Sequence, residues 1–331
     1  MRQEKPSDLL DPDALLKRAD ARLMVLAPHP DDESLAAGGL IQRALAGGAA
    51  TSVVFVTDGE NNPWPQRALE HRLWIGPRQR NAWAARRRAE ADAALHALGA
   101  QGIHVHRLGW PDGGVTWKLL DDAPAMQAKL RELIEHERPT LLVLPDLVDR
   151  HPDHSAIHVL VEMVFQSMPG LLKPACLGYL LHGRSQPGVP RRAVFTLTES
   201  ELQSKRRAIE AHASQTALSR RRMMRSASAT ETFVAGLDFH DRAGAQLPWL
   251  PPRVLRPALA MLVVDIGGGE KLRLGNGIRD RAATGASLFW RDGSLAARAS
   301  RELRKPYYVK LYSPLPSPWV FDGWGWCRFG A

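Results

Sequence analysis

Two short motifs bring together the residue types in this chain that can do chemistry. The first is Pro28-His29-Pro30-Asp31-Asp32-Glu33, and the second, about 120 residues later, is His151-Pro152-Asp153-His154. Each follows an apolar run typical of a buried strand, residues 23–27 and 141–144. Because clefts in open α/β sheets form beyond the carboxyl ends of parallel strands, we expect the motifs to share one site. Two imidazoles and a carboxylate, with one position left for water, are the composition of a catalytic zinc site.

The pattern around these motifs predicts strands that alternate with helices. We expect strands at residues 23–27, 52–57, 103–107 and 141–144, and helices at 35–46, 82–98, 125–137, 155–165 and 199–213. This order implies right-handed crossovers, and therefore an α/β fold with a Rossmann-like, mostly parallel sheet flanked by helices. Gly47-Gly48 and Gly99 are placed to stop helices, and Thr198 to begin one. In the first motif, the strand should end near Ala27 and the helix begin near Ser34.

The chain is expected to comprise three segments. Residues 1–20 are a polar extension without the apolar core of a secretory signal. Residues 21–235 hold the motifs. From residue 236 to residue 331 the sequence pattern changes to short β-like runs separated by turn signals, which predicts a small β-rich appendage. The appendage has β-like runs at 261–266, 286–290 and 307–312, and hairpin-type turn signals at Asn276-Gly277 and Asp292-Gly293. We expect it either to cover apolar surface or to bring its tryptophans to a ligand.

The composition restricts the binding partners and the cellular compartment that we expect for this protein. Cys176 and Cys327 lie far apart, which gives no disulfide framework and favours a reducing, cytoplasmic location. No run approaches ~18 apolar residues, so we expect at most peripheral membrane contact. The net charge of +9 includes arginine clusters at residues 78–88 and 220–225, which we interpret as solvated faces. No nucleic-acid recognition motif is visible, so a nucleic-acid partner is not expected.

Several further motifs accompany the first two. They are Thr57-Asp58-Gly59-Glu60, residues 87–90 with Leu98-Gly99, residues 108–113, and Ser214-Gln215. Together these motifs resemble those of the PIG-L/LmbE-type zinc-dependent N-deacetylases, and the resemblance covers residues 22–215. It implies a zinc-dependent hydrolase that removes an N-acetyl group from an amino sugar or glycoconjugate. The implied partner is a small-molecule or lipid-linked amino sugar.

The resemblance also assigns the metal site. It implies that His29, Asp32 and His154 bind Zn²⁺, and that Asp31 is the general base when metal-bound water attacks the amide. His158 lies four residues after His154 on the same helical face, so an HxxxH pair of ligands stays open as an alternative.

The remaining roles concern the transition state and the sugar. The resemblance implies that His151, oriented by Asp153, stabilises the oxyanion or protonates the leaving nitrogen. Glu60, Arg87 and Asp112 match positions that line the sugar pocket in the family. The neighbours of Arg87 are also arginines, which leaves its register open.

Other functions are compatible with parts of this pattern. One is a different metal-dependent amide or ester hydrolase, and another is a non-catalytic protein that binds carbohydrate or nucleic acid. Asp31 separates these readings, because a binding module has no use for an extra carboxylate beside three metal ligands. Glu33 either supports the site or only favours the helix N-terminus. Trp64 and Trp74 either stack on a ligand or belong to the core.

Overall fold

The structure, a computed structural model, describes residues 11–168, 173–183, 192–237, 246–247, 258–273, 287–291, 294–298, 304, 306–313 and 324–329 of the 331-residue chain. The chain divides into two units. The first comprises Met1–Gly114, Leu133–Asp146 and Leu172–Leu237, and the second comprises Val115–Glu132, Leu147–Leu171 and Asp238–Ala331.

A seven-stranded sheet forms the centre of the first unit. Its strands are β1 (Arg22–Ala27), β2 (Ala50–Thr57), β3 (His104–Trp110), β4 (Leu141–Pro145), β5 (Ala175–Tyr179), β6 (Arg192–Thr196) and β7 (Thr230–Ala235). They lie in the order β3-β2-β1-β4-β5-β7-β6. Strands β1 to β5 are parallel, whereas β7 is antiparallel to both β5 and β6. The predicted parallel sheet is confirmed, and β1 and β4, which precede the two motifs in sequence, are neighbours.

The predicted helices are present, and most begin earlier than expected. The helices are α1 (Pro12–Leu16), α2 (Asp32–Ala46), α3 (Pro63–Glu70), α4 (Pro77–Ala97), α5 (Val115–Glu137), α6 (Pro152–Gln166), α7 (Glu199–Ala211) and α8 (Ala213–Met223). Prolines occupy the first turns of α4 and α6, where their missing N–H groups have no helical partner to lose. Thr198 caps α7 in a capping box with Glu201, as predicted.

Helix α2 is broken near its middle, and a buried carboxylate compensates for the break. Ala37 has φ −132° and ψ 16°, so the regular hydrogen-bond ladder stops there. The N–H groups of Gly39 and Leu40 donate instead to the carboxylate of Glu231 on β7, at 2.7 and 3.0 Å. Nζ of Lys205 on α7 donates to the same carboxylate at 2.6 Å, and both side chains are buried. A carboxylate from β7 therefore acts as an internal cap for α2.

Replacing Lys205 by Met should destabilise the protein strongly. The substitution leaves the Glu231 charge buried without its cation, and breaking a buried pair in this way costs about 3–5 kcal/mol in unfolding free energy. Urea unfolding followed by circular dichroism measures the difference. Arg206→Met, at the exposed neighbouring position, is the matched control and should change stability by no more than about 0.5 kcal/mol. Equal unfolding free energies for the two variants would contradict the proposed role of the pair.

Antiparallel strands make up the β structure of the second unit. They are β8 (Gln246–Leu247), β9 (Ala260–Asp265), β10 (Gly268–Arg273), β11 (Ser287–Arg291), β12 (Ser294–Arg298), β13 (Tyr307–Tyr312) and β14 (Cys327–Phe329). One sheet has the order β10-β9-β13-β14 and the other β11-β12-β8. The small β-rich C-terminal part is confirmed. The turn signals Asn276-Gly277 and Asp292-Gly293 lie outside the described residues.

Residues of these strands contact α5 and α6 within the second unit. Nε2 of Gln127 on α5 donates to the carbonyl of Ile266 at 3.0 Å. On α6, Nε2 of Gln166 donates to the hydroxyl of Tyr308 at 2.7 Å, and that hydroxyl donates to Glu162. Polar contacts at both helices therefore hold the β9–β13 region in place. Within the described ranges, no helix has the length and apolar character needed to cross a membrane.

Candidate functional site

The loop after β1 places His29 and Asp32 side by side. The backbone N–H of His29 donates to Oδ2 of Asp32 at 2.9 Å, and Nδ1 of the His29 ring lies 3.2 Å from the same oxygen. Both residues are buried. Two ligands about 2.0–2.2 Å from a tetrahedral ion lie roughly 3.3–3.6 Å apart. The spacing of this pair therefore fits two ligands of one divalent ion.

Asp31 has the irregular backbone conformation that connects the end of β1 to the start of α2. Its φ of 144° and ψ of −25° lie in a region that non-glycine residues seldom adopt, at a cost of about 1–3 kcal/mol. Helix α2 begins at Asp32, two residues before the start expected near Ser34, and Asp31 takes the irregular conformation just before it. The N–H of Asp31 donates to Oε2 of Glu33 at 3.0 Å, which helps to hold this geometry.

Arg87 on α4 holds the first motif from a buried position. Its Nη2 donates to the carbonyl of Pro30 at 2.6 Å and lies 3.1 Å from Oδ2 of Asp31, while Nη1 donates to the carbonyl of Gly59 at 3.0 Å. Gly59 has φ +65°, and a Cβ there would lie 1.6 Å from Nη1 of Arg87, so only glycine fits. Arg87 is thus the buried arginine of its cluster, whereas Arg86 is exposed and Arg88 is half-buried.

Opposing electrostatic effects act on Asp31. Burial raises the pKa of its carboxyl group, Arg87 acts to lower it, and the Asp32 charge raises it, with a net value of about 6. A carboxylate with a pKa near neutrality is a stronger base than an ordinary aspartate and is still ionised in part.

Glu33 supports the motif through a buried histidine that the sequence analysis missed. Oε1 of Glu33 accepts a hydrogen bond from Oγ of Ser34 at 2.6 Å and lies 3.0 Å from Nε2 of His212. Burial acts to lower the pKa of His212, but the charge and hydrogen bond of Glu33 together with the Asp31 charge outweigh burial, and the net pKa is raised. His212 separates α7 from α8, so the predicted single helix over 199–213 ends at Ala211. No local signal marks His212, because its partner lies 179 residues away.

The predicted pocket residues Glu60 and Asp112 contact each other, and Asp112 also contacts His29 of the first motif. Oδ1 of Asp112 lies 3.2 Å from Nε2 of His29. The Asp112 N–H donates to Oε1 of Glu60 at 2.9 Å, and Oδ2 of Asp112 accepts from the N–H of Asn61 at 2.8 Å. Burial acts to raise the pKa of Asp112, but the hydrogen bond and charge of His29, the Arg87 charge and the Asn61 N–H together outweigh burial, and the net pKa is lowered. Glu60 thus braces Asp112, and their roles toward a substrate stay predictions.

The remaining family-like residues tie helices together or lie at the surface. Ser214 donates to the Glu90 carboxylate through its N–H at 2.9 Å and its hydroxyl at 2.6 Å, which links α8 to α4. Trp64 and Trp74 are 61% and 83% exposed. The alternative that they belong to the core is therefore wrong, and both rings are accessible to a ligand.

The second motif begins α6 in the second unit, and Asp149 organises it. Oδ1 of Asp149 accepts the N–H of His151 at 2.9 Å, and Oδ2 lies 3.3 Å from Nδ1 of the buried His154 ring. A carboxylate beside a ring nitrogen can orient a metal-binding histidine, and Asp149 lies in that position next to the His154 ring. Sequence reasoning missed Asp149, because an aspartate two residues before a histidine is a common pattern that does not by itself indicate this contact.

His151 and Asp153 are fixed by the start of α6. The backbone N–H of Asp153 donates to Nδ1 of His151 at 3.3 Å. Oδ1 of Asp153 accepts the N–H of Val115 at 3.1 Å. A neutral imidazole that accepts at Nδ1 carries its proton on Nε2, so His151 is set up as a donor through that atom. His158 is also buried on α6, so its alternative role as a ligand stays open.

The comparisons with known proteins agree with this arrangement. Residues 24–165 match the PIG-L family, described as GlcNAc-PI de-N-acetylase. A relative from Tsukamurella paurometabola, named 1D-myo-inositol 2-acetamido-2-deoxy-alpha-D-glucopyranoside deacetylase, is 32% identical over 213 residues, which cover 55% of this chain and 68% of the relative. This chain belongs to the PIG-L family.

Another relative of this PIG-L family member matches over less of its length, whereas a solved structure matches over more of its length. A Corynebacterium glutamicum protein with the same name is 30% identical over 149 residues, so the chain spans 50% of it while 42% of this chain is covered. The solved structure of N,N'-diacetylchitobiose deacetylase from Pyrococcus horikoshii aligns with a TM-score of 0.51 and 18% sequence identity. The alignment covers 66% of this chain and 84% of the Pyrococcus chain. That similarity shows a shared fold.

Replacing Arg87 by Lys should destabilise the first unit although the charge is kept. A lysine carries its charge on a single ammonium group, whereas the planar guanidinium group of Arg87 forms hydrogen bonds with two carbonyl groups and a carboxylate. Loss of one such charged hydrogen bond costs about 1.5–3 kcal/mol. Chemical denaturation followed by tryptophan fluorescence measures the change. Arg80→Lys, at an exposed position of the same helix, is the control. If the two variants are equally stable, Arg87 does not brace the loop.

Proposed function

We propose that this PIG-L family member is a zinc-dependent N-deacetylase that releases acetate from an N-acetylated amino sugar or glycoconjugate. The observation that carries the proposal is the loop after β1. There His29 and Asp32 have the spacing of metal ligands, and Arg87 holds the adjacent Asp31 in a strained conformation. The names of the Tsukamurella and Corynebacterium relatives support the same reaction.

The donor set fits zinc. We propose His29, Asp32 and His154 as the ligands, since imidazole and carboxylate oxygen suit this ion. The contact between Asp149 and Nδ1 of His154 is the outer support that a ligating histidine requires. Bound there, the ion polarises the amide carbonyl and lowers the pKa of a water molecule.

The protein groups complete the reaction. Asp31 takes a proton from the attacking water while the water oxygen bonds to the carbonyl carbon of the amide. Nε2 of His151, held by the Asp153 N–H at Nδ1, donates to the developing oxyanion or to the leaving nitrogen. The C–N bond then breaks as the leaving nitrogen takes a proton from His151 or from the protonated Asp31, and the products are acetate and the free amine of the sugar.

The contacts of the pocket residues refine the proposal for the substrate. Asp112 lies beside His29 and is our candidate for a direct hydrogen bond to a sugar hydroxyl. Arg87 and Glu60 act through Asp31 and Asp112, respectively. The exposed Trp64 offers an aromatic face for a sugar ring or a lipid-linked acceptor, with at most peripheral membrane contact. The relatives' names favour a 2-acetamido-2-deoxyglucopyranoside as the reacting unit.

Acetate release and metal content together test the proposal. We expect the purified protein to release acetate from at least one of N-acetylglucosaminyl inositol, N,N'-diacetylchitobiose and N-acetylglucosamine. His154→Ala should lose the catalytic metal and the activity, while His158→Gln should keep both. A His158→Gln variant that loses the metal would move the ligand assignment. Hydrolysis of esters or other amides without acetate release from any sugar would identify the alternative hydrolase.

Asp31→Asn should separate metal binding from catalysis. The variant keeps His29 and Asp32, so metal content should stay unchanged, whereas turnover should fall about 10²–10⁴-fold through loss of the general base. Asp92→Asn, at an exposed position on α4, is the matched control and should keep full turnover. Near-native turnover of Asp31→Asn would transfer the role of base to another group, such as Glu33 or His151.

A further inference from the structure

Three histidines and a glutamate gather at the amino end of the edge strand β3. His104 and His106 lie on β3, and His136 and Glu137 form the end of α5. Three imidazole nitrogens surround Oε1 of Glu137. The distances are 3.0 Å from Nδ1 of His104, 2.9 Å from Nε2 of His106 and 3.0 Å from Nδ1 of His136. The deacetylase proposal uses none of these four residues.

The backbone presents these side chains in a fixed arrangement. His104 and His106 are two residues apart on a strand, so their side chains share one face. Arg138 takes a left-handed conformation with φ +47° and ends α5 directly after Glu137. Nε of Arg22 on β1 donates to the Glu137 carbonyl at 2.6 Å, which ties the helix end to the sheet. Only side-chain rotations are therefore needed to adapt the cluster to a ligand.

The chemistry of the cluster favours a cation. The Glu137 side chain is 6% exposed, whereas those of His104 and His136 are 61% and 67% exposed. Burial acts to raise the pKa of Glu137, but hydrogen bonds from the imidazoles outweigh it and hold the pKa below its usual range. The carboxylate also lies at the C-terminus of a long helix, where the helix dipole attracts positive charge. Imidazoles around such a carboxylate are ligands that zinc, nickel and copper prefer.

We propose that His106, His136 and Glu137 bind a divalent transition-metal ion of the zinc type, with His104 as a fourth ligand. One potential ligand atom from each of the first three residues lies within 4.8 Å of the others. A tetrahedral zinc site requires about 3.3–3.6 Å between ligand atoms, given bonds of 2.0–2.2 Å. The rings of His136 and His104 are exposed, so their rotation can adjust the ligand atoms to this spacing.

The proposed site is separate from the metal site proposed for catalysis. Met24 on β1 pairs with Ser52 on β2, and Ser52 pairs with His104 on β3, so these residues form a row across the sheet. His29 lies five residues beyond Met24 along the chain. At ~3.3 Å per residue in a strand, His29 is about 16 Å from this row along the strand direction. One ion cannot serve both sites, and the inference does not depend on the deacetylase activity.

Counting bound ions tests the proposal. The full-length protein and its variants are dialysed to equilibrium against Zn²⁺ at neutral pH, and bound zinc is measured by elemental analysis. We expect the double variant His106→Gln/His136→Gln to bind one ion fewer than the unsubstituted chain. His96→Gln, at an exposed histidine on α4, is the matched control and should bind as many ions as the unsubstituted chain. Acetate release should be the same for all three proteins.

The difference in ion number is interpretable whether or not the catalytic proposal holds. With both sites present, the count falls from two to one; with the surface site alone, it falls from one to zero. An unchanged count in the double variant overturns the proposal, as does an equal loss in His96→Gln. If circular dichroism shows that the double variant misfolds, the single variant His136→Gln, at the most exposed of the three rings, replaces it with the same expected loss.

Discussion

The buried guanidinium of Arg87 joins three segments of the chain at one point. It satisfies the carbonyl groups of Pro30 and Gly59 and lies against the carboxylate of Asp31. Asp31 occupies a costly backbone conformation, and such strain persists only where surrounding contacts enforce it. The conformation in turn lets Asp32 enter α2 and accept the hydrogen bond from the His29 N–H. The geometry of the first motif therefore depends on a helix that lies about 55 residues further along the chain.

Much of the fold and the family could be predicted from sequence because the deciding signals are local. Continuous apolar runs and intervening helical stretches indicate a parallel sheet, and the two motifs are contiguous. Residues whose partners are distant in sequence escaped prediction: His212 meets Glu33, and Glu231 meets the broken middle of α2. The start of α2 was also predicted too late, because positive φ is uncommon for non-glycine residues and the sequence does not show that Asp31 adopts it. Asp149 was missed for a different reason, because an aspartate before a histidine is unremarkable until a contact gives it a role.

The second motif has its own structural context. Helix α6 begins with this motif, and Glu162 and Gln166 at its other end contact Tyr308 on β13. The C-terminal strands therefore support the helix that carries His154, within a single unit of the protein. Trp326 is buried in the same unit, with Nζ of Lys310 5.6 Å from its ring centroid. For this tryptophan, a packing role explains its position. The match to the family ends at residue 165, so this support is provided by a part of the chain beyond the matched region.

The internal cap of α2 by Glu231 also has a consequence for the time course of synthesis. The capping residue follows Gly39 by 192 positions, so the helix that begins at Asp32 leaves the ribosome long before its cap exists. At a translation rate of 5–20 residues per second, that interval is roughly 10–40 s. During this time Glu231 is absent as an acceptor for the N–H groups of Gly39 and Leu40, and Lys205 is itself synthesised only 26 residues before Glu231. The nascent chain is therefore committed to a late, long-range closure of α2, which is complete only when β7 joins the sheet.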